Sequence, residues 1–303
     1  MSGAPIFQNP KSGSIKVTGE YQVVDEHGAV IKTVTDPKLC GCGLSQDKPL
    51  CDKSHANYVS IVTRALEDAR TQVKAITPFG TWALRAFEIR KRALENRLAN
   101  GEELAGIKFG GALLKSESDE KQYEGIFGFL TNAMQISNQM KLSDYISPIA
   151  EAEIVFKLAK DLDRAISLEE VLDYVHEIAP GIEIFDCRYG AIDPYIDDAV
   201  ADNACAGGFV IGNWVDSGSI DLTKTIVEIY ENDLLKQSVS ATSIAGNPWV
   251  ALVNASKKLA EAQVTLSAGS IIFSGSATNG IAMKTGSYKV KISDLGEVEV
   301  KVN

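Results

Sequence analysis

The chain has 303 residues, 45% of them apolar and 23% charged, which is enough for about two globular domains with hydrophobic cores. Its net charge of -10 argues against nucleic acid or an anionic membrane as a partner, because both repel an acidic protein. No apolar run reaches the about 18 residues of a membrane span, and the first residues lack the basic and apolar parts of a secretory signal. We therefore expect a cytoplasmic protein.

The N-terminal part is predicted to be small and rich in β structure. Residues 14–34 alternate between apolar and polar, with a turn at 25–28, which predicts a β hairpin. Three thiols and one imidazole follow within residues 40–55, a segment too short to bury much apolar surface, so a bound inorganic centre would supply its order. Cys187 and Cys205 stand alone in the sequence and are expected to be small buried apolar residues.

The spacing of these N-terminal ligands carries a first resemblance. Cys-x-Cys followed by Ser-x-x-x-Pro-x-Cys-Asp-x-x-His is similar to the signature of the CDGSH iron-sulfur domain. The resemblance implies a [2Fe-2S] cluster bound by Cys40, Cys42, Cys51 and His55. Lys53 stands where that family usually has glycine. Zinc stays open as an alternative, because thiolates and imidazole also suit Zn²⁺, although one residue between two cysteines is tight for a zinc knuckle.

Helical periodicity begins after this motif. Apolar residues recur at spacings of three and four over residues 58–69 and again over 79–98, which predicts two helices. We therefore divide the chain into a domain of residues 1–58 and a second domain of residues 59–303. Residues 106–114 are predicted to form the first strand of the second domain.

Three carboxylates form the main candidate site of the second domain. In the apolar segment 147–158, a two-residue period puts Glu151 and Glu153 on the same face. Residues 181–188 bring Glu183 to the same face if the two strands are neighbours. Hard oxygen donors with open positions suit Mg²⁺ or Mn²⁺. A solvated strand face explains the alternation equally well, so spacing alone does not decide between them.

The remaining elements are predicted from local signals. A capping box at Ser167 opens a helix that Pro180 and Gly181 end. The later predictions are a short helical piece leading into a strand at 198–212, a hairpin at 223–238, a helix at 247–259, and strands at 271–274, 288–292 and 297–302.

Five motifs in this order carry a second resemblance. They are Gly-x-Lys-x-Gly at 106–110, Pro-x-x-Glu-x-Glu-Ile at 148–154, Glu-Ile-x-Asp-x-Arg at 183–188, Val-Ala-Asp-Asn-Ala-x-x-Gly-Gly at 200–208 and Ser-Gly at 274–275. The domain resembles the fumarylacetoacetate hydrolase superfamily, nearest its 2-hydroxypentadienoate hydratase and 4-oxalocrotonate decarboxylase branch. The implied fold class is α+β, with a small β-rich iron-sulfur domain followed by a mixed β-roll with flanking helices.

The second resemblance also implies roles for individual residues. It makes Glu151, Glu153 and Glu183 the ligands of Mg²⁺ or Mn²⁺. Lys108 becomes a general acid/base or an orienting cation, although its pattern alone equally suits an exposed lysine at a strand end. Asp186 is a further catalytic candidate in a supporting or ion-pair role, together with Arg188. The candidates for holding the substrate are Asn203, Ser274 and Gly275.

Two departures from the family's pattern bear on the substrate. The usual Leu-Thr-Ser after the lysine motif is replaced here by Gly111, Ala112 and Leu113, which removes two hydroxyls. Ala150 replaces a basic or β-branched residue before the first glutamate. We therefore expect a more apolar and less basic pocket, which makes a dicarboxylate substrate less expected.

The resemblances imply a metal-dependent lyase, a hydratase or decarboxylase that acts through an enolate on a small 2-oxo or 2-hydroxydienoic acid. An iron-sulfur cluster of redox or sensing role, an electron-transfer partner and a homo-oligomeric assembly are further expectations. Two alternatives stay open. One is an iron-sulfur redox-transfer protein whose second domain only docks or senses, and the other is a biosynthetic enzyme with repurposed chemistry at the metal site.

Overall fold

The computed structural model describes residues 6–8, 14–40, 45–53, 55–77, 83–110, 125–190 and 196–303. It divides into two compact units, Met1–Val62 and Thr63–Asn303. The boundary that we predict near residue 58 lies inside the helix that runs across this division. Within the described ranges, no helix is both long and apolar enough to cross a membrane.

The structure contains five helices and eighteen strands in its described ranges. The helices are α1 His55–Gln72, α2 Ala83–Ala99, α3 Val171–Tyr174, α4 Ile196–Ala201 and α5 Pro248–Glu261. The strands are β1 Ile6–Gln8, β2 Ile15–Val17, β3 Glu20–Val24, β4 Val30–Thr35, β5 Lys38–Leu39, β6 Leu104–Gly110, β7 Ile126–Thr131, β8 Gln139–Met140, β9 Ile149–Leu158, β10 Val175–Phe185, β11 Ala206–Ile211, β12 Val215–Asp216, β13 Ile226–Glu231, β14 Leu234–Ser240, β15 Ile271–Phe273, β16 Ile281–Ala282, β17 Gly286–Ile292 and β18 Gly296–Val302.

The first unit is built from short strands, as predicted. Strands β3 and β4 form the predicted hairpin, and the side chain of Asp25 stabilises its turn by accepting hydrogen bonds from the backbone N–H groups of His27 and Ala29, both at 2.9 Å. Strand β2 does not extend this hairpin but joins β1 and β5 in a separate three-stranded sheet.

The second unit is organised around a sheet with the strand order β11-β10-β9-β15-β6-β7. A bridge between Gln135, which follows β7, and Phe209 in β11 connects the two ends of this order. The sheet therefore curls round on itself and has an inner and an outer face. An apolar cluster gathers side chains from all round the inner face: Leu130, Met134, Val155, Ala206, Phe209, Ile271 and Phe273.

The outer face of this sheet carries the main core. It packs against a second sheet with the order β14-β13-β17-β18-β8 and against α5. The predicted hairpin of β13 and β14, the helix α5 with Asn247 as its N-cap, and the strands β15, β17 and β18 are confirmed. Helix α1 confirms the first predicted helix, and α2 confirms the second from Ala83 onward, since residues 78–82 lie outside the described part.

The predicted helix from Ser167 to Pro180 is wrong. The capping box at Ser167 is present, but the helical turn ends at Tyr174 and β10 runs straight through Pro180 and Gly181. Strand β10 is buried along most of its length, so it lacks the alternation that marks a half-exposed strand. Pro180 lacks an N–H group but still contributes to the sheet, because its carbonyl accepts a hydrogen bond from the N–H of Gly212 at 2.8 Å.

Candidate active site

The three predicted carboxylates converge on the inner face of the curled sheet. Strands β9 and β10 are antiparallel neighbours, and their register puts Glu183 opposite Glu151 and Gly181 opposite Glu153. Each of the three glutamates has a carboxylate oxygen within 4.8 Å of the others. Glu153 and Glu183 are fully buried, while Glu151 is half-buried. The site therefore opens to solvent on the side of Glu151.

Lys108 belongs to the same cluster. It lies on β6, and its ammonium Nζ is 3.1 Å from Oε2 of Glu183. The residue is only 6% exposed, so it is not the exposed lysine at a strand end that its sequence pattern also allowed. The ring of Phe185, 5.5 Å from Nζ, adds a cation-π contact.

The charges of this cluster do not balance. Three carboxylates face one ammonium in a site with little water, and burial raises the pKa of Glu153 and of Glu183, with repulsion between the carboxylates adding to the effect. Burial alone would lower the pKa of Lys108, but attraction to Glu183, Glu151 and Glu153 outweighs it and the pKa is raised. Lys108 therefore keeps its proton, and full ionisation of the three carboxylates, which would leave negative charge in excess, requires a further cation in the cluster.

A divalent cation fits this donor set. Both carboxylate oxygens of Glu183 are buried, and neither accepts a well-directed hydrogen bond from the described residues, although Lys108 is within ion-pair distance. Hard oxygen donors, an excess of negative charge and unsatisfied oxygens are the features of a Mg²⁺ or Mn²⁺ site. Gly280 lies beside Glu151, since a Cβ there would be in ordinary contact with Oε1 of Glu151 at 3.4 Å, and the glycine avoids a clash with Ile149, whose Cγ2 would be 2.4 Å away.

Ser274 and Gly275 act on Glu153 and on the backbone of β9. The N–H of Gly275 donates to Oε2 of Glu153 at 2.8 Å and fixes that carboxylate. The hydroxyl of Ser274 accepts from the N–H of Ile154 at 3.1 Å and donates to the carbonyl of Gly275 at 3.0 Å. A role for Ser274 and Gly275 in holding the substrate stays a prediction, because the hydrogen bonds described here support Glu153 and the backbone of β9.

Asn203 anchors the edge of the site. Its side-chain amide bonds both main-chain groups of Phe129 on β7, at 2.7 and 2.9 Å. The preceding residue on β7, Gly128, pairs with Lys108 across the sheet, and a Cβ on Gly128 would lie 2.1 Å from the carbonyl oxygen of Asn203. The glycine therefore allows Asn203 to cross close to the strand beside Lys108. Substrate binding by Asn203 stays a prediction.

Asp186 lies outside the carboxylate cluster. Its carboxylate accepts hydrogen bonds from the N–H groups of Ile146 and Ser147, the shortest at 2.7 Å, and so holds the segment that leads into β9. Arg188 pairs with Asp202, with Nε 3.0 Å from Oδ1. These contacts agree with the supporting role predicted for Asp186 and not with direct contact with a substrate.

The structure describes only one of the two departures from the family's pattern. Gly111, Ala112 and Leu113 lie outside the described residues. Ala150 is fully buried and belongs to the main core on the outer face. The inference that Ala150 makes the pocket more apolar is therefore wrong, because an alternation of two places residue 150 on the face opposite Glu151.

Sequence reasoning missed Phe185 and Gly280 as parts of the site. Phe185 lies two positions after Glu183 on the same strand, so its spacing from Glu183 was a signal for it. Gly280 had no signal, because its proximity to Glu151 depends on β16, a two-residue strand that pairs with β9.

In the N-terminal unit, two of the predicted cluster ligands are described. Leu39 and Leu50 form a β-bridge with a main-chain hydrogen bond on each side. The Cys40 N–H donates to the Pro49 carbonyl, and the Cys51 N–H donates to the Lys38 carbonyl. These bonds hold the two cysteines on adjacent segments. Cys42 and the side chain of His55 lie outside the described part. Lys53 adopts φ 69°, a left-handed conformation that favours glycine.

Comparisons with known proteins agree with both resemblances. Residues 132–303 match the family described as fumarylacetoacetate (FAA) hydrolase C-terminal. The chain belongs to this family. Residues 12–56 match the iron-binding zinc finger of CDGSH type, so an iron-binding CDGSH domain precedes the hydrolase-family domain.

Similar proteins in this family carry related activities. A 4-oxalocrotonate decarboxylase of Pseudomonas sp is 30% identical over 247 residues, which cover 79% of this chain and 96% of the relative. A 2-hydroxyhexa-2,4-dienoate hydratase of Comamonas testosteroni is 30% identical over 223 residues, which cover 71% of this chain and 84% of the relative.

A solved structure has the same fold as the second unit and its flanking segments. The structure of 4-oxalocrotonate decarboxylase from Pseudomonas putida G7, complexed with magnesium and adipate, matches with a TM-score of 0.75 at 22% identity. The match covers 82% of this chain and 98% of that one. The fold predicted from the motifs is therefore confirmed.

Proposed function

We propose that the chain is a lyase that depends on a divalent metal and hydrates or decarboxylates a 2-oxo or 2-hydroxydienoic acid through an enolate. The observation that carries this proposal is the buried cluster of Glu151, Glu153 and Glu183 with Lys108 among them. The similar decarboxylase and hydratase are named for acids of this class. In the proposed chemistry, both hydration and decarboxylation would pass through an enolate.

The three glutamates would hold Mg²⁺ or Mn²⁺, and magnesium is the ion in the solved decarboxylase. Such an ion, when bound, would supply a Lewis acid that stabilises negative charge on a substrate oxygen. Gly275 fixes Glu153 through its N–H, and the apolar cluster below the carboxylates limits water in the site. This chain therefore provides an aligned and largely dry set of oxygen donors.

Lys108 would orient the substrate and handle a proton. Its Nζ carries a proton in the described site, close to Glu183 and beneath the ring of Phe185. A protonated amine at this place can attract the carboxylate of a keto acid, and it can donate a proton to a carbon of the enolate. The same amine serves hydration and decarboxylation, so Lys108 does not discriminate between them.

The N-terminal domain would bind a [2Fe-2S] cluster through Cys40, Cys42, Cys51 and His55 and serve a redox or sensing role. Hydration and decarboxylation transfer no net electrons, so the cluster would act separately from the lyase chemistry. The absorption spectrum of purified protein tests this assignment, because Zn²⁺ is colourless, and His55→Ala should change or abolish the colour. An electron-transfer partner and a homo-oligomeric assembly remain predictions.

Turnover tests the lyase proposal directly. The purified full chain is assayed with 2-hydroxydienoates and 4-oxalocrotonate, with Mg²⁺, with Mn²⁺ and with chelator. We expect turnover only with metal, and a loss of about 100-fold or more in Glu153→Gln because a ligand charge is removed. The matched control is Glu177→Gln on β10, a half-buried carboxylate outside the cluster that is paired with Lys157 and should keep wild-type turnover.

Two outcomes of this assay would contradict different parts of the proposal. Equal turnover in Glu153→Gln and in the wild type would contradict the metal-site assignment. If the wild type converts no 2-oxo or 2-hydroxydienoic acid under any metal, the lyase proposal is wrong and the redox-transfer alternative gains.

A further inference from the structure

Cys187 and Cys205, which the sequence presents as isolated residues, lie together in the structure. Their sulfur atoms and a carboxylate oxygen of Asp202 are all within 4.8 Å of one another. Cys187 follows β10 and Cys205 precedes β11, and a hydrogen bond of 2.8 Å from the Asp186 N–H to the Cys205 carbonyl keeps the two segments side by side. Both cysteines are buried, with exposures of 2% and 0%.

The carboxylate of this group is already occupied by Arg188. The guanidinium Nε of Arg188 is 3.0 Å from one oxygen of Asp202, and the backbone N–H of Arg188 donates to the other oxygen at 2.8 Å. A metal ion would have to displace a buried arginine to gain Asp202 as a third ligand. The reactive unit is therefore the pair of thiols and not a three-ligand metal site.

We propose that Cys187 and Cys205 form a dithiol that hydrogen peroxide converts into an intramolecular disulfide. The thiolate of Cys187 attacks the peroxide O–O bond, which gives a sulfenic acid on Cys187 and, after proton uptake, one water. The sulfur of Cys205 then attacks the sulfenic sulfur, the S–S bond forms, and a second water leaves. Two thiols lose two electrons and two protons in total, and peroxide is reduced to two waters.

The surroundings decide which sulfur reacts first and which oxidant can reach it. Cys187 is the less buried of the two residues, with an exposure of 2% against 0%, and therefore reacts first. Burial raises the pKa of the Cys205 thiol, which leaves Cys205 as the resolving sulfur. A cavity of about 40 Å³ is lined by Arg188, Asp202 and Asn203, which are neighbours of the two cysteines along the chain, while the cysteines themselves do not line it. This volume exceeds the roughly 10–15 Å³ that one water needs, so a molecule of peroxide size can enter while a bulky disulfide cannot.

The new bond would act on a strained turn beside the proposed active site. Asn203, Ala204 and Cys205 adopt φ values of 58°, 53° and 56°, a run of left-handed residues without glycine. Asn203 holds β7 through Phe129. A disulfide from Cys205 to Cys187 would therefore tie the end of β10, the strand of Glu183, to the turn that anchors the opposite end of the sheet.

Peptide mapping of the full-length holoprotein tests this proposal independently of any lyase activity. The protein is treated with graded hydrogen peroxide, denatured in N-ethylmaleimide, digested without reductant and analysed by mass spectrometry. We expect a cross-linked peptide that contains Cys187 and Cys205, two hydrogens lighter than the sum of its parts and cleaved by dithiothreitol. Oxidised glutathione, a bulky disulfide oxidant, should leave both thiols reduced in the folded protein.

A variant separates the two chemical steps. In Cys205→Ser the resolving thiol is absent, so dimedone added together with the denaturant should trap a sulfenic acid on Cys187. The wild-type mapping stands alone if this variant fails to fold. The proposal is overturned if both wild-type cysteines are recovered alkylated by N-ethylmaleimide, or if either is recovered as a sulfinic acid, without any cross-linked peptide.

Discussion

The two candidate sites of this chain are built in different ways. In the N-terminal unit, the four predicted cluster ligands lie within residues 40–55, and the surrounding segments are short. In the second unit, Glu151 and Glu183 lie 32 positions apart and meet only because β9 and β10 pair in one register. We expect the first site to depend on a bound inorganic centre for order, whereas the second is ordered by the sheet that carries it.

This difference predicts opposite responses to losing a ligand. Cys51→Ala should abolish the visible colour and unfold most of the N-terminal unit, because its short strands bury little apolar surface of their own. Turnover by the second unit should change less than about two-fold, since its carboxylates belong to a separate core. Absorbance, limited proteolysis and the lyase assay measure the three effects on one sample.

Coupled loss would break the comparison. If Cys51→Ala removes turnover together with colour, while the second unit still resists proteolysis, the two centres communicate and the account of separate sites is wrong.

Replacement of Lys108 should have the next largest effect, a fall in kcat. Lys108→Met keeps the length of the side chain but removes the ammonium beside Glu183, and we expect kcat to fall by about 10²–10⁴-fold, the usual contribution of a positioned acid/base. Lys157→Met on β9 is the matched control, because Lys157 is about one-third exposed and pairs with Glu177. Steady-state kinetics with saturating Mg²⁺ give the comparison, and similar kcat values in the two variants would remove Lys108 from the proposed chemistry.

The two candidate sites place different demands on a prediction from sequence. Ligand spacing is a property of a few consecutive residues, and the motif from Cys40 to Cys51 carries it, so the cluster assignment stays a prediction that rests on local sequence. Alternation predicted the shared face of Glu151 and Glu153, but the partner strand was uncertain because the helix before it was wrongly extended to Pro180. The burial of Lys108 depends on long-range pairing of β6 with β15, which no local pattern encodes.

The dependence on long-range strand pairing also explains why the sequence did not predict the contact between Cys187 and Cys205. Cys187 and Cys205 are separated by 18 positions and follow unrelated local patterns. Their contact depends on the antiparallel pairing of β10 with β11 and on an irregularity in that pairing near Phe185. Sequence alone therefore predicted their burial correctly and missed their proximity.

The smallest predicted effect concerns the turn of the N-terminal motif. Lys53 adopts φ 69°, and a residue with a Cβ costs about 1–2 kcal/mol in the left-handed region. Lys53→Gly should therefore stabilise the N-terminal unit by about 1 kcal/mol, seen as a higher denaturant midpoint for loss of colour. Lys38→Gly, at a strand position without this strain, should not stabilise it. A lower midpoint for Lys53→Gly would mean that the lysine side chain stabilises the motif by more than the strain costs.

Binding of Mn²⁺ tests the central claim most directly. A titration followed by the electron paramagnetic resonance signal of free Mn²⁺ counts the ions bound by the wild type, by Glu183→Gln and by the control Glu177→Gln. We predict one tight Mn²⁺ per chain in the wild type and in Glu177→Gln, and affinity reduced by about 10-fold or more in Glu183→Gln. Equal binding in all three proteins, or no binding in the wild type, would contradict a metal centre formed by Glu151, Glu153 and Glu183.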